Sequence, residues 1–203
     1  MFTNHTSQLL SEALRPQSLD ELNLPEQTIA SFKKMELSGS PIHLLLYGPP
    51  GVGKTSAARI LTRNSDVLLC NGADCQVSND AKPDFFRFAM CGSLEMKPKV
   101  VLIDEADMLP GRTRESLRCF IEKVQTNTRF ILIANDITKL SPALQSRFAP
   151  VSFVVPPKDR GEVIIRMIER YKMRLSELAI RYEPDRLREI VRIYFPDLRS
   201  IAN

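Results

Sequence analysis

Residues 44–61 read LLLYGPPGVGKTSAARIL. The opening LLLY, part of the apolar run IHLLLY over 42–47, spells a short strand buried on both faces. SAARILTR, residues 56–63, reads as the helix that follows. Between them Gly48 to Thr55, GPPGVGKT, fits GxxxxGK[ST], and a strand before and a helix after are the context that makes this pattern a phosphate cradle. Backbone N–H groups converge on phosphate oxygens only where side chains do not block them. That is the use of Gly48, Gly51 and Gly53, with Pro49, Pro50 and Val52 completing the loop. Lys54 would reach the outer phosphates, Thr55 would offer its hydroxyl to Mg²⁺, and the helix from about Ser56 would point its positive end at the anion. The ligand this stretch asks for is a nucleoside triphosphate.

Working outward, VLLC (67–70), KVVLID (99–104) and RFILIA (129–134) repeat the short, continuous apolar pattern of strands buried on both faces. Helical patterns alternate with them: DFFRFAMCGSL over 84–94 and RESLRCFIEKV over 114–124. Strand–helix alternation implies an α/β fold with a mostly parallel, doubly wound sheet. VSFVVPPKDRG, 151–161, marks a change of regime, after which the chain reads helical. Val163, Ile164, Met167, Ile168, Tyr171 and Leu175 fall near helical spacing, and EPDRLREIVRIYF repeats the pattern after a first-turn proline. PDLRSIAN, 196–203, starts a further helix that stops after about two turns. The segment before the first strand, LRPQSLDELNLPEQ, is loop-like.

A triphosphate site needs a second half at the tip of another buried strand, and VVLIDEAD supplies one. Asp104 can hold Mg²⁺ through water, and Glu105 can orient or deprotonate an attacking water. A nucleotide holder needs only the metal aspartate, so Glu105 favours hydrolysis. Asn135, at the end of RFILIAND, brings an amide to a further strand end, where it could fix the water or the γ-phosphate. Strand-terminal asparagines also serve simply as turn residues.

Composition sets bounds rather than chemistry. The chain has 203 residues, 43% hydrophobic and 26% charged, enough to bury a core and remain soluble. No apolar run approaches the ~18 residues of a membrane span, and the start lacks a signal-peptide pattern, so a cytosolic setting is expected. Cysteines 70, 75, 91 and 119 form no CxxC pair, and with only His5 and His43 beside them they read as reduced thiols rather than a metal site. Of the net charge of +4, three units lie in 158–203, which by itself does not distinguish a polyanion partner from solvated helix faces.

The phosphate loop, DEAD, the strand-end Asn135, SPALQSRF and the helical segment after it come in the order of the AAA+ ATPases. The chain resembles in particular the small subunits of sliding-clamp loaders, T4-type phage and replication factor C alike; CNGADC, LRCFIEK, PALQSRF and FPDLRSIAN carry the likeness. The resemblance implies a P-loop AAA+ core over 1–155 around a mostly parallel five-stranded sheet, then a small helical lid over 156–203. It implies ATP and Mg²⁺ as cofactors. Implied partners are other clamp-loader subunits in a pentameric assembly, the sliding clamp and primer-template DNA, in a host cytoplasm if the gene is a phage's. Lys54, Thr55, Asp104, Glu105 and Asn135 keep the roles above, Asn135 as γ-phosphate sensor. Arg147 would be an arginine finger acting in trans on a neighbouring subunit's nucleotide, and Arg199 a lid arginine that senses nucleotide. Leu14, Arg15, Pro16 and Leu24 would line the adenine pocket. Arg112, Arg114 and Arg118 are the DNA phosphate contacts to test, against the alternative of a solvated helix face.

Three departures from the family pattern stand out. Phe148 replaces the usual cysteine, NGADCQVSND lacks a nearby basic residue, and the family's carboxyl-terminal helical collar is missing, so that either the lid is cut short, the favoured reading, or the chain assembles weakly. Three alternatives stay open: another AAA+ machine, such as a helicase loader or branch-migration motor, a nucleotide-gated scaffold that binds without turnover, or a plain nucleic-acid-binding module.

Overall fold

The computed structural model describes residues 10, 12–37, 42–75, 84–92, 97–124 and 128–202. Residues 76–80 of NGADCQVSND, Ser93 and Leu94 at the end of the helix expected over 84–94, and Asn203 lie outside the described residues, as do 1–9 and 11. In chain order the elements are α1 (Glu26–Leu37), β1 (Leu44–Tyr47), α2 (Lys54–Leu61), β2 (Asp66–Asn71), α3 (Asp84–Met90), β3 (Lys99–Asp104) and α4 (Gly111–Val124). There follow β4 (Thr128–Ala134), α5 (Pro142–Gln145), β5 (Ala149–Ser152), α6 (Arg160–Glu177), α7 (Pro184–Tyr194) and α8 (Leu198–Ala202).

The strands form one five-stranded sheet in the order β2-β3-β4-β1-β5, and every neighbouring pair is parallel. Side chains alternate between its faces, as the period of two requires. Leu45, Val101, Ile103, Phe130 and Leu132 pack on one side against Phe85 and Phe86 of α3 and Leu117 and Ile121 of α4. Leu44, Leu46, Val100, Leu102, Ile131 and Ile133 pack on the other against Ile29 and Phe32 of α1 and Ala57, Ala58 and Ile60 of α2. Burying one such Leu, Ile or Phe side chain is worth about 1.5–3 kcal/mol, which is why the central strands read as unbroken apolar runs.

β2 departs from the expectation of burial on both faces. It is one of the sheet's two edge strands; Leu68 and Cys70 pack on the first cluster, while Val67 and Leu69 are exposed. Helices cover one of its faces only, and a continuous apolar run does not reveal that in sequence.

Helices α6, α7 and α8 bury a third apolar cluster of their own, built by Met167, Ile168, Tyr171 and Leu175 with Leu187, Val191 and Ala202. Leu14, from ahead of the first strand, joins this cluster rather than the sheet's. Asp197 starts α8: its Oδ1 accepts the amides of Arg199 (2.9 Å) and Ser200 (3.3 Å), and its Oδ2 the Ser200 hydroxyl (2.7 Å). Among the described residues no helix is long and apolar enough to cross a membrane.

After β1 the chain leaves through α2 for the far edge of the sheet, returns through β3 to β4, and finally reaches β5 on β1's other side. That reversal of winding opens a crevice at the carboxyl ends of the central strands. The glycine-rich loop sits there.

Candidate functional site

The loop from Gly48 to Gly53 turns on glycines with φ of 145° (Gly48), 76° (Gly51) and 95° (Gly53), and Gly53, left-handed, starts α2. Gly53, the residue that starts α2, has no side chain to cap the first turn, which leaves its N–H groups to an anion. Lys54, only 6% exposed, folds back over the loop. Its ammonium donates to the carbonyls of Gly48 (2.7 Å) and Pro49 (2.7 Å) and to Asn135 Oδ1 (2.9 Å). Burial pulls its pKa down to about 8, against the pull of Asp104 and Asp107 and with a small push from Arg199. A desolvated cation whose hydrogen bonds, among the described residues, go to neutral oxygens favours a negatively charged ligand.

Asp104, at the tip of β3, points at the start of α2: its Oδ2 accepts the Thr55 hydroxyl at 2.8 Å, and its Oδ1 the Glu105 amide at 2.9 Å. Glu105 itself is left-handed, φ 53°, an unusual conformation for a non-glycine residue. Its carboxylate is held by the Asn71 amide, Nδ2 to Oε2 at 3.3 Å, across from the end of β2. Gly72 makes this turn possible, because a Cβ there would run into the Glu105 carbonyl oxygen. Asp107, 8% exposed, accepts the backbone amide of Asn135 at 3.3 Å and so helps hold that strand end.

Lys54, Thr55, Asp104, Glu105 and Asn135 share one cavity of about 460 Å³, within the range of small-molecule sites. Pro50, Gly51, Gly53, Lys54, Thr55 and Ser56 line it, with Asp104, Glu105 and Asn135. So do Leu14, Arg15, Pro16 and Arg199, and also Arg59, Tyr171 and Leu198, which the sequence did not single out. The carboxyl-terminal helices touch the loop directly: the Leu198 amide donates to the Gly51 carbonyl at 3.0 Å.

Other expected residues lie elsewhere. Gly48 and Pro49 contribute through their carbonyls to Lys54, and Val52 is buried in the second sheet cluster. Leu24 does not line the cavity; it is 1% exposed, in the core beside α1, because the chain turns inward there to cover the sheet. Arg147 is also outside the cavity of its own chain. Its Nε donates to Glu122 at 2.9 Å, a second donor bonds the same carboxylate, and Nη1 donates to the Ala143 carbonyl at 2.7 Å. On α4, Arg114 donates to the Lys139 carbonyl, Arg118 pairs with Glu115 at 3.3 Å, and Arg112 is exposed.

The donor set suits a magnesium nucleotide. Among the described residues no group of three or more His, Cys, Asp or Glu side chains could hold a metal unaided. Mg²⁺ typically takes one or two protein oxygens and completes its octahedron with phosphates and waters. Thr55 Oγ1 and Asp104 Oδ2, already converged, are such a pair.

A parallel sheet with helices on both faces and a glycine-rich cradle at its switch point defines the phosphate-loop class of α/β proteins. Within it, the chain belongs to the ATPase family associated with various cellular activities (AAA), whose model matches residues 44–155. It is 32% identical to the sliding-clamp-loader large subunit of Escherichia phage RB69, over 97% of this chain and 63% of that protein. It is 31% identical to replication factor C subunit 3 of Saccharomyces cerevisiae, over 95% of this chain and 57% of that protein. The chain thus spans less than two thirds of the length of these relatives. The phage relative is named a large subunit, whereas a Pyrobaculum islandicum relative, 31% identical, is a replication factor C small subunit 2. Among solved structures, a Thermotoga maritima RuvB variant superposes with a TM-score of 0.69 at 23% identity, over 94% of this chain and 63% of that one, a likeness of fold.

Proposed function

We propose that the chain is the Mg²⁺-dependent ATPase module of a sliding-clamp-loader subunit, which uses ATP to open a ring-shaped clamp and place it on primer-template DNA. The carrying observation is the convergence of Lys54, the Thr55–Asp104 pair, Glu105 and Asn135 on one cavity, in a chain whose relatives include named clamp-loader subunits.

In this reading Lys54 exchanges its loop carbonyls for the outer phosphates of ATP, and the N–H groups of the loop and of α2 take the remaining oxygens. Thr55 and Asp104 would hold Mg²⁺, which when bound neutralises charge on the phosphates. Glu105 orients the attacking water and accepts its proton, and Asn135 fixes the γ-phosphate side of the cavity. Before that, Glu105 must leave Asn71, so the Asn71 contact is the resting position of the base. Arg147 supplies its guanidinium to a neighbouring subunit's nucleotide, consistent with its position outside the cavity of its own chain. Helices α6 to α8 act as the lid, with Arg199 at its edge. On α4, Arg112 is the residue freest to meet a DNA phosphate, since Arg114 and Arg118 have partners within the chain.

The test is ATP turnover by the assembled loader, with and without clamp and primed DNA. Both should stimulate it, and Glu105→Gln should bind ATP as the parent does while losing turnover. Turnover indifferent to clamp and DNA, or undiminished in Glu105→Gln, contradicts the proposal.

A further inference from the structure

Three arginines on one face of α6 each donate to a backbone carbonyl of the segment that precedes the first helix. Arg174 Nε donates to the carbonyl of Ala13 at 3.0 Å, Arg170 Nη1 to that of Glu21, and Arg166 Nη2 to that of Leu24 at 2.6 Å. Spaced at i, i+4 and i+8, they stand above one another along the helix. Their partners run in the opposite order, so residues 13–24 lie antiparallel along α6. Over that stretch other partners are few among the described residues: Ser18 accepts Glu21, Leu19 accepts Leu22, and the Gln17 carbonyl accepts the Arg63 guanidinium. Carbonyls buried against a helix need donors, and the guanidinium, always charged and with several N–H groups in a fixed fork, can serve one while keeping its other contacts. Arg166 stays near Glu162 (3.7 Å) and Arg174 pairs with Glu177 (2.8 Å), while Arg170 lies 4.9 Å from the Tyr171 ring centroid.

The segment so held is divided between two cores. Leu14 packs with Met167, Tyr171 and Leu175 in the helical cluster, while Leu19, Leu22 and Leu24 pack on the sheet. Apart from Pro50 of the loop, Leu14, Pro16, Tyr171 and Leu198 are the apolar part of the cavity lining, the part that suits a flat base rather than phosphate. The phosphate loop holds that wall at Leu198, whose amide donates to the Gly51 carbonyl, whereas Leu14 and Pro16 belong to the segment that the arginines hold.

We propose that Arg166, Arg170 and Arg174 are positioning residues for the nucleotide base: the ladder fixes residues 13–24 against α6, and thereby sets the affinity for the base without touching the nucleotide. The inference rests on the nucleotide site proposed above. Inorganic tripolyphosphate, which has no base, would fill the phosphate loop and be indifferent to the ladder. Loss of one charge-assisted hydrogen bond would show as about a tenfold loss of ATP affinity.

The experiment compares the full chain with Arg174→Ala, Arg170→Ala and the gentler Arg170→Lys and Arg174→Lys, all checked for native circular dichroism. Binding of Mg-ATP and of magnesium tripolyphosphate is titrated, and amide hydrogen exchange of residues 13–24 is followed without nucleotide. The expected result is a loss of ATP affinity of about tenfold in the alanine variants, partial recovery with lysine, unchanged tripolyphosphate affinity, and faster exchange over 13–24. Folded variants that lose both ligands equally, or lose neither, overturn the ladder. Should the parent itself bind neither ligand, the nucleotide site fails instead, and exchange alone then decides the ladder: acceleration over 13–24 supports it and unchanged exchange refutes it.

Discussion

Lys54 should make nucleotide binding and protein stability respond to alkaline pH in opposite directions. Burial lowers its pKa from 10.5 to about 8, so at pH 7 about nine-tenths of the molecules carry the charge and at pH 9 about one-tenth do. A bound triphosphate restores the charged form, since an opposite charge within contact raises an amine's pKa. Binding above pH 8 therefore takes up a proton, and affinity at pH 9 should be about tenfold weaker than at pH 7, or about 1.4 kcal/mol. Stability of the free chain moves the other way. The unfolded chain keeps its Lys54 proton up to pH 10.5 while the folded chain releases it near 8, so the unfolded state binds more protons in that window and this residue's contribution rises with pH. Calorimetric titration of Mg-ATP at pH 8.5 in buffers of different ionisation enthalpy reads the proton directly. Uptake of about half a proton or more is expected. No uptake, with affinity flat between pH 7 and 9, would refute the claim that Lys54 is the buried cation that meets the phosphates.

Asn71→Ala frees the Glu105 carboxylate and should raise the turnover of the assembled loader without DNA by roughly threefold to tenfold; a decrease would show that Asn71 supports the base rather than restrains it. Arg147→Ala should leave ATP binding by the single chain intact while lowering turnover of the assembly by about 10³ to 10⁵, and equal losses in both would place Arg147 in the wrong role. Gly72→Ala puts a methyl group into the Glu105 carbonyl and should cost about 1–3 kcal/mol, read as a drop in thermal midpoint, with an unchanged midpoint counting against the close approach.

What could be read in the sequence was what is local in the chain. The cradle is eight consecutive residues between a strand and a helix, and DEAD begins at its strand's last residue, so pattern and context together singled out the residues of both halves of the candidate site. Other features depend on residues far apart in the sequence. Asn71 and Glu105 are 34 residues apart, Arg147 and Glu122 are 25, and Arg174 and Ala13 are 161. Helical spacing on α6 identifies which of its residues face the apolar cluster but not that its arginines face another backbone. Leu24, which the family resemblance implied for the adenine pocket, sits in the core against the sheet, and a loop-like pattern does not show where the chain dips inward. In the same way β2 and β3 look alike as apolar runs, and only their places in the sheet separate a half-exposed edge from a buried centre.

Equilibrium titration of Mg-ATP into the folded full chain, beside Lys54→Ala, goes most directly to the heart of the account. The parent should bind one nucleotide saturably and the variant should lose that binding while keeping its circular dichroism. A parent that takes up no adenine nucleotide, or a variant that binds it undiminished, would contradict the assignment of the cavity.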